Sequence, residues 1–209
     1  MIDEYSSVAG PAHAETKVMG SRFLALLAPA GTPDDALREL ETVRKARHDA
    51  SHHCFAYRIG PEGNQERYND AGEPSGTAGK PLLLVLQHAA LSDAVLIVTR
   101  YFGGTKLGVG GLRRAYAGAG QAAVDRARKV QRILTEEVRV VVPAALIGDV
   151  IAAVTRVGGK IVRTEYGTEA AAGGGAEARL AIEIRRSRAE EARRMLIDRT
   201  SGKARLLEA

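Results

Sequence analysis

Tryptophan is absent, cysteine occurs once, and the aromatic content is otherwise three phenylalanines and six tyrosines. The single Cys54 excludes an intramolecular disulfide and every thiolate-rich metal site. Within the alternating run HHCFAYRIG it reads as a small buried hydrophobe. So few aromatic rings leave little material for an extensive base-stacking surface. No apolar run is long enough to cross a bilayer, the strongest being residues 82–86. The opening MIDEYSSVAG lacks the basic-then-apolar pattern of a secretory leader. A cytoplasmic protein that does not enter a membrane is the resulting expectation.

What is present describes an ordinary globular chain. Of 209 residues, 45% are hydrophobic and 26% charged, a balance unlike that of extended disorder. The net charge of +5 favours acidic partners, and neither half of the chain forms a basic tail.

Periodicity gives the organisation. Residues 13–20 and 22–28 read as strands joined at Gly20-Ser21. Thr32 followed by Pro33 is a fitting N-cap and first helical residue, and the helix is expected to run to about His48. In residues 53–60 Phe55, Tyr57 and Ile59 face one way and Cys54, Ala56 and Arg58 the other, which predicts a sheet covered on both sides. Residues 66–69 read as a short partner strand; 82–90 fits a buried strand or a helix, with helical spacing favouring the helix; 94–101 reads as a core strand and 111–129 as a second long helix. Beyond a boundary at residues 129–134 the order becomes βαββαβ, a split-βαβ arrangement. A loop is expected at Gly173, Gly174 and Gly175, and Ser187 with Glu190 is expected to cap the last helix. The fold class is therefore α+β, with domains at residues 1–132 and 133–209.

Two glycine-rich stretches carry the chemistry: NDAGEPSGTAGKP at residues 69–81 and VTRYFGGTKLGVGGLRRAY at residues 98–116. If they meet at one sheet edge, the rim holds Lys80, Arg100, Lys106, Arg113 and Arg114 beside Asp70 and Glu73. A helix starting near Gly110 or Gly111 presents N–H groups with no intrahelical acceptor, and a phosphate can accept from them. The competing reading is structural: the glycines build a tight strand-to-helix connection, and Arg100 and Arg114 pair with Asp70 and Glu73. A P-loop is excluded because Pro74 stands where its first glycine is needed and Pro81 follows Lys80. His52, His53 and Cys54 are adjacent in a strand and cannot converge on a metal. Asp70 or Glu73 with His52 could divide acid and base roles, with hydroxyls at Ser75 and Thr77, but no recognised catalytic pattern surrounds them. No cofactor is called for.

At these residues the chain resembles the IMPACT N-terminal family, particularly its bacterial YigZ branch. DASHHCFAYRIG, GEPSGTAGKP and TRYFGGTKLGVGGLRRAY look like the family's diagnostic blocks in their order. The resemblance implies a first domain like the second domain of ribosomal protein S5, and a ferredoxin-like second domain similar to the C-terminal domain of elongation factor G. It also implies a link to translation and family-like positions at His53, Tyr57, Asp70, Glu73, Ser75, Thr77, Arg100, Tyr101, Lys106, Gly110, Gly111 and Arg114. Arg113 stands where relatives often carry an apolar residue, which favours a basic surface. The resulting expectation is a non-catalytic protein that binds RNA or a ribosomal surface. The alternatives are a regulator that docks a protein partner through its second domain and an enzyme acting on a phosphorylated substrate.

Overall fold

A computed structural model describes residues 2–167 and 176–207; the loop expected at Gly173, Gly174 and Gly175 lies outside the described residues. The chain divides into two compact units, Glu4–Arg132, and Ile133–Ala209 with Met1–Asp3.

The first unit is built on a five-stranded antiparallel sheet. Its strands are β2 (Ala12–Val18), β3 (Ser21–Pro29), β4 (His52–Ile59), β5 (Gln65–Asn69) and β6 (Ala94–Tyr101), in the order β2-β3-β6-β4-β5. β6 is central, and all of it except Tyr101 is buried. The two-sided pattern of β4 has the predicted cause. Phe55, Tyr57 and Ile59 pack with Leu40 and Val43 of α1 (Pro33–Ala46) on one face. Cys54 and Ala56 pack on the other against α2 (Gly79–His88) and α3 (Gly108–Arg126). α1 starts where the sequence places it: Thr32 accepts from the Asp35 N–H at 3.1 Å, and the Asp35 carboxylate accepts from the Thr32 N–H at 2.9 Å.

Several boundaries differ from the sequence reading, each for a local reason. The β2–β3 turn is Met19-Gly20, not Gly20-Ser21; both residues have positive φ, 45° and 81°, which matches a tight hairpin to the twist of its strands. α2 begins at Gly79, so Lys80 and Pro81 lie in its first turn rather than in a loop; proline is tolerated there because its missing N–H is not needed. α3 begins at Gly108 and ends at Arg126. The segment expected to be helix end and linker is β7 (Lys129–Ile133), which forms a two-stranded ladder with an unanticipated β1 (Glu4–Val8). Tyr5 of β1 is anchored by donating to Asp93, whose other oxygen accepts from Gly60 N–H at 2.8 Å.

The second unit runs β8 (Thr135–Pro143), α4 (Ile147–Arg156), β9 (Lys160–Tyr166), β10 (Glu177–Arg185), α5 (Ala189–Arg199) and β11 (Arg205–Leu207). Its sheet order, β11-β8-β10-β9, is antiparallel throughout, so each βαβ crossover straddles a strand of the other. Val138, Val140 and Val142 alternate with Leu180 and Ile182 toward Val150, Val154 and Leu196 on the helices. Ser187 does not cap α5. It lies in a short 3-10 turn, where its N–H and hydroxyl donate to the Asp3 carboxylate, which draws the first residues of the chain into this unit. Among the described residues no helix is long and apolar enough to cross a membrane.

Candidate functional site

The two glycine stretches come together at one end of the first unit, beside α3. Between them lies a cleft of about 270 Å³ lined by Glu73, Pro74, Arg100, Phe102, Lys106, Leu107, Gly108, Val109 and Leu112. Strand alternation decides what reaches it. Arg100 is on the same face of β6 as Val98 and Leu96, toward α2 and α3, whereas Thr99 and Tyr101 point to the α1 side.

Arg100 is therefore not a rim cation. Its side chain is 6% exposed, and Nη1 donates to Glu73 Oε1 at 2.7 Å, with the Glu73 side chain 3% exposed. Nη2 donates to Ser21 Oγ at 3.2 Å, and the guanidinium carbon lies 5.5 Å from the ring centroids of both Phe23 and Phe102. Tyr116 Oη donates to the same Glu73 oxygen at 2.7 Å, and His52 Nε2 lies 3.8 Å from it. The Arg100–Glu73 pairing is the structural alternative the sequence left open. It fixes the cleft floor as a neutralised, buried pair rather than a source of field.

Asp70 is likewise structural. Its carboxylate accepts from the N–H groups of Gly76, Ala78 and Gly79 at 2.8, 2.9 and 2.8 Å. The N-cap residue Ala78 has no side-chain oxygen and the first turn of α2 has no acid, so Asp70 caps α2 from eight residues away. Thr77 is fully buried and donates to the Pro74 carbonyl at 2.6 Å, while Ser75 is exposed on the loop.

The family-like positions His53, Tyr57 and Tyr101 lie on the α1 side of the sheet and do not line the cleft. Tyr57 packs in the α1-side core, and His53 Nδ1 meets Thr99 Oγ1 at 3.2 Å. Tyr101 donates to Asp49 at 2.9 Å. Burial, with Arg44 nearby, lowers the His53 pKa below the ordinary imidazole value. The histidine that meets Glu73 is His52, on the face shared with Cys54; its Nδ1 is 2.9 Å from the Ala71 carbonyl.

Cys54 is sealed in the floor. Its Sγ donates to the Asp70 carbonyl at 3.0 Å and lies 3.4 Å from Tyr116 Oη. Burial pushes its thiol pKa up to about 12, which leaves no thiolate for nucleophilic chemistry near neutral pH. Burial also raises the Tyr116 pKa, with Cys54 and Glu73 adding to it. Among the described residues no three His, Cys, Asp or Glu side chains cluster as metal ligands.

Of the remaining cations expected at the rim, Lys106 lines the cleft, Arg113 and Arg114 lie on α3, and Lys80 lies in the first turn of α2. Lys80, Lys106, Arg113 and Arg114 are exposed, and none has an ion pair among the described residues. Arg113 donates to the Gly76 carbonyl at 3.3 Å, which ties α3 to the first loop. α3 has neither a side-chain cap nor an acidic residue in its first turn. Its start at Gly108 changes the donor set: Gly108, Val109 and Gly110 have free N–H groups, whereas that of Gly111 falls within the helix ladder. Gly103 is required by close approach, since a Cβ there would lie 1.9 Å from the carbonyl carbon of Gly20. That contact locks the second loop onto the β2–β3 turn.

Comparison with known proteins places this arrangement. The family profile described as the Impact N-terminal domain matches residues 19–124, which include both glycine loops. IMPACT family member YvyE of Bacillus subtilis is 40% identical over 134 residues, 64% of this chain; the match spans 62% of the relative's own length, less than two thirds. An IMPACT family member of Thermus thermophilus is 43% identical over 133 residues, 64% of this chain and 71% of the relative. IMPACT family member YigZ of Escherichia coli is 32% identical over 160 residues, 76% of this chain and 78% of the relative. A crystal structure described as that of a hypothetical protein is 28% identical, with a TM-score of 0.69, covering 100% of this chain and 98% of its own.

Proposed function

The chain belongs to the IMPACT family, and on that premise we propose that it is a non-catalytic, translation-associated protein that binds RNA or a ribosomal surface through the basic edge of its first unit. One observation carries the reading. Three exposed cations without ion pairs among the described residues, Lys106 in the cleft wall and Arg113 and Arg114 on α3, accompany a helix start whose N–H groups no side chain caps, while Asp70 and Glu73 are held by partners within the protein. Such an edge offers phosphate both fixed donors and counter-charge. The finer fold identities belong to the same proposal: a first unit like ribosomal protein S5 domain 2, and a ferredoxin-like second unit similar to the end of elongation factor G. The split-βαβ sheet order supports the second of these.

Catalysis is the weaker reading because its candidate groups have other partners. Asp70 holds three backbone N–H groups, Glu73 holds Arg100 and Tyr116, and Cys54 is buried. The open sheet face of the second unit has a depression of about 220 Å³ in which Glu137 and Glu165 stand beside Arg139, Arg163 and Arg179. Arg139 pairs with Glu137 at 2.6 Å, so this mixed surface suits a protein partner better than a polyanion.

RNA binding is tested by anisotropy of a labelled oligoribonucleotide across a salt series. Affinity should fall linearly on a log–log plot. Lys106→Ala and Arg114→Ala, on exposed positions, should leave thermal stability within about 0.5 kcal/mol and each lower the salt slope by about 0.7–1. Wild-type protein that binds neither RNA nor ribosomes at low salt would remove the proposal.

A further inference from the structure

Cations and helix N–H groups account for attraction to phosphate, but they leave the apolar walls between them unexplained. Phe102 and Val109, each 51% exposed, stand at the cleft with Leu107 and Leu112. A volume of about 270 Å³ falls just below the usual range for drug-sized ligand pockets, roughly 300–1,000 Å³, and suits a single ring system. The floor has unfilled bonding capacity. Arg100 Nε–H has no hydrogen-bond partner and is closed to water, so a ligand reaches it only after a side-chain shift in the cleft floor. Glu73 Oε2 has none among the described residues, because both bonds to this carboxylate fall on Oε1. Both side chains are more than nine-tenths buried, and both line the cleft. One donor and one acceptor beneath an exposed aromatic ring complement the Watson–Crick edge of a nucleobase, where donors and acceptors also sit side by side.

Building on the RNA-binding reading above, we propose that this cleft receives one unpaired base of single-stranded RNA. The base stacks on Phe102 with its pairing edge toward Glu73 and Arg100, and its phosphate lies toward Lys106 and the first turn of α3. Each of the four bases presents a neighbouring donor and acceptor on that edge, so the site selects unpaired bases rather than a particular sequence. A duplex is disfavoured because its pairing edges are already occupied. One stacking position also fits a chain with so few aromatic residues.

The test compares a single-stranded hexaribonucleotide with a duplex of the same sequence, by anisotropy at fixed salt, on the full chain. Wild type should prefer the single strand. Phe102→Ala should weaken single-strand binding by about 5- to 150-fold without changing the salt slope, and Phe102→Tyr, which keeps a stacking face, should restore it. Because Phe102 is half exposed, a melting curve is sufficient to check that the alanine variant stays folded. Equal affinity for both RNAs, or single-strand affinity unchanged in Phe102→Ala, overturns the base cleft while leaving RNA binding at the edge intact. Absence of any RNA binding by wild type overturns both.

Discussion

Glu73→Ala is expected to destabilise the first unit by about 3–5 kcal/mol, the usual consequence of stranding one member of a buried ion pair. The Arg100 guanidinium would keep its charge between two phenylalanine rings, with its carboxylate gone and Nε already unpartnered. Tyr116 Oη would lose its acceptor in the same step. Glu73→Gln, which preserves volume and can accept from Tyr116, should fall between alanine and wild type. Replacing both partners, as in Glu73→Leu with Arg100→Met, should recover most of the loss, because an apolar pair removes two desolvated charges at once. Denaturant unfolding reads all three. A loss below about 1 kcal/mol for Glu73→Ala, the size of an exposed pair, would show that water reaches the pair and that the cleft floor is not as described.

Asp70→Ala is expected to cost about 2–4 kcal/mol, from the desolvation of backbone donors left without an acceptor and the loss of a helix cap. Gly76, Ala78 and Gly79 all donate to this carboxylate, and Ala78 and Gly79 are buried. Asp70→Asn retains one acceptor oxygen and should lose less. The discriminating result is the pairing of effects. A structural Asp70 lowers the unfolding midpoint but leaves RNA affinity within a few fold wherever the variant is folded. A large loss of binding at unchanged stability would instead place Asp70 in contact with the ligand.

Much of the first unit was legible because its signals are local. Thr32-Pro33 specified the α1 start, and the two faces of 53–60 specified a sheet covered on both sides. β1 and β7 were not legible. Each is short and mixed in polarity, and each is stabilised by a partner more than a hundred residues away in sequence. The α2 start was hidden for a related reason: its cap is Asp70, outside the helix, and Gly79-Lys80-Pro81 has the composition of a loop.

The candidate site was read at the level of segments more accurately than at the level of side chains. Both glycine stretches do border one cleft, and Lys106 lines it. Arg100 carries the charge expected of a rim residue, but position 100 shares its strand face with buried Val98 and Leu96, which puts it under the cleft. The same alternation separates His52, beside Glu73, from His53, Tyr57 and Tyr101 on the far face. Period two carried that information, whereas the pairing of Arg100 with Glu73 depended on a contact between loop and strand that no local pattern encodes.

Crosslinking of the intact protein to RNA in cells, followed by identification of the attached peptides, addresses the central claim most directly. The predicted attachments fall in residues 72–80 and 102–114, and they diminish in Lys106→Ala. RNA attached solely to peptides beyond residue 134, or protein partners captured with no RNA at all, would contradict the assignment of the glycine-loop edge as the nucleic-acid surface.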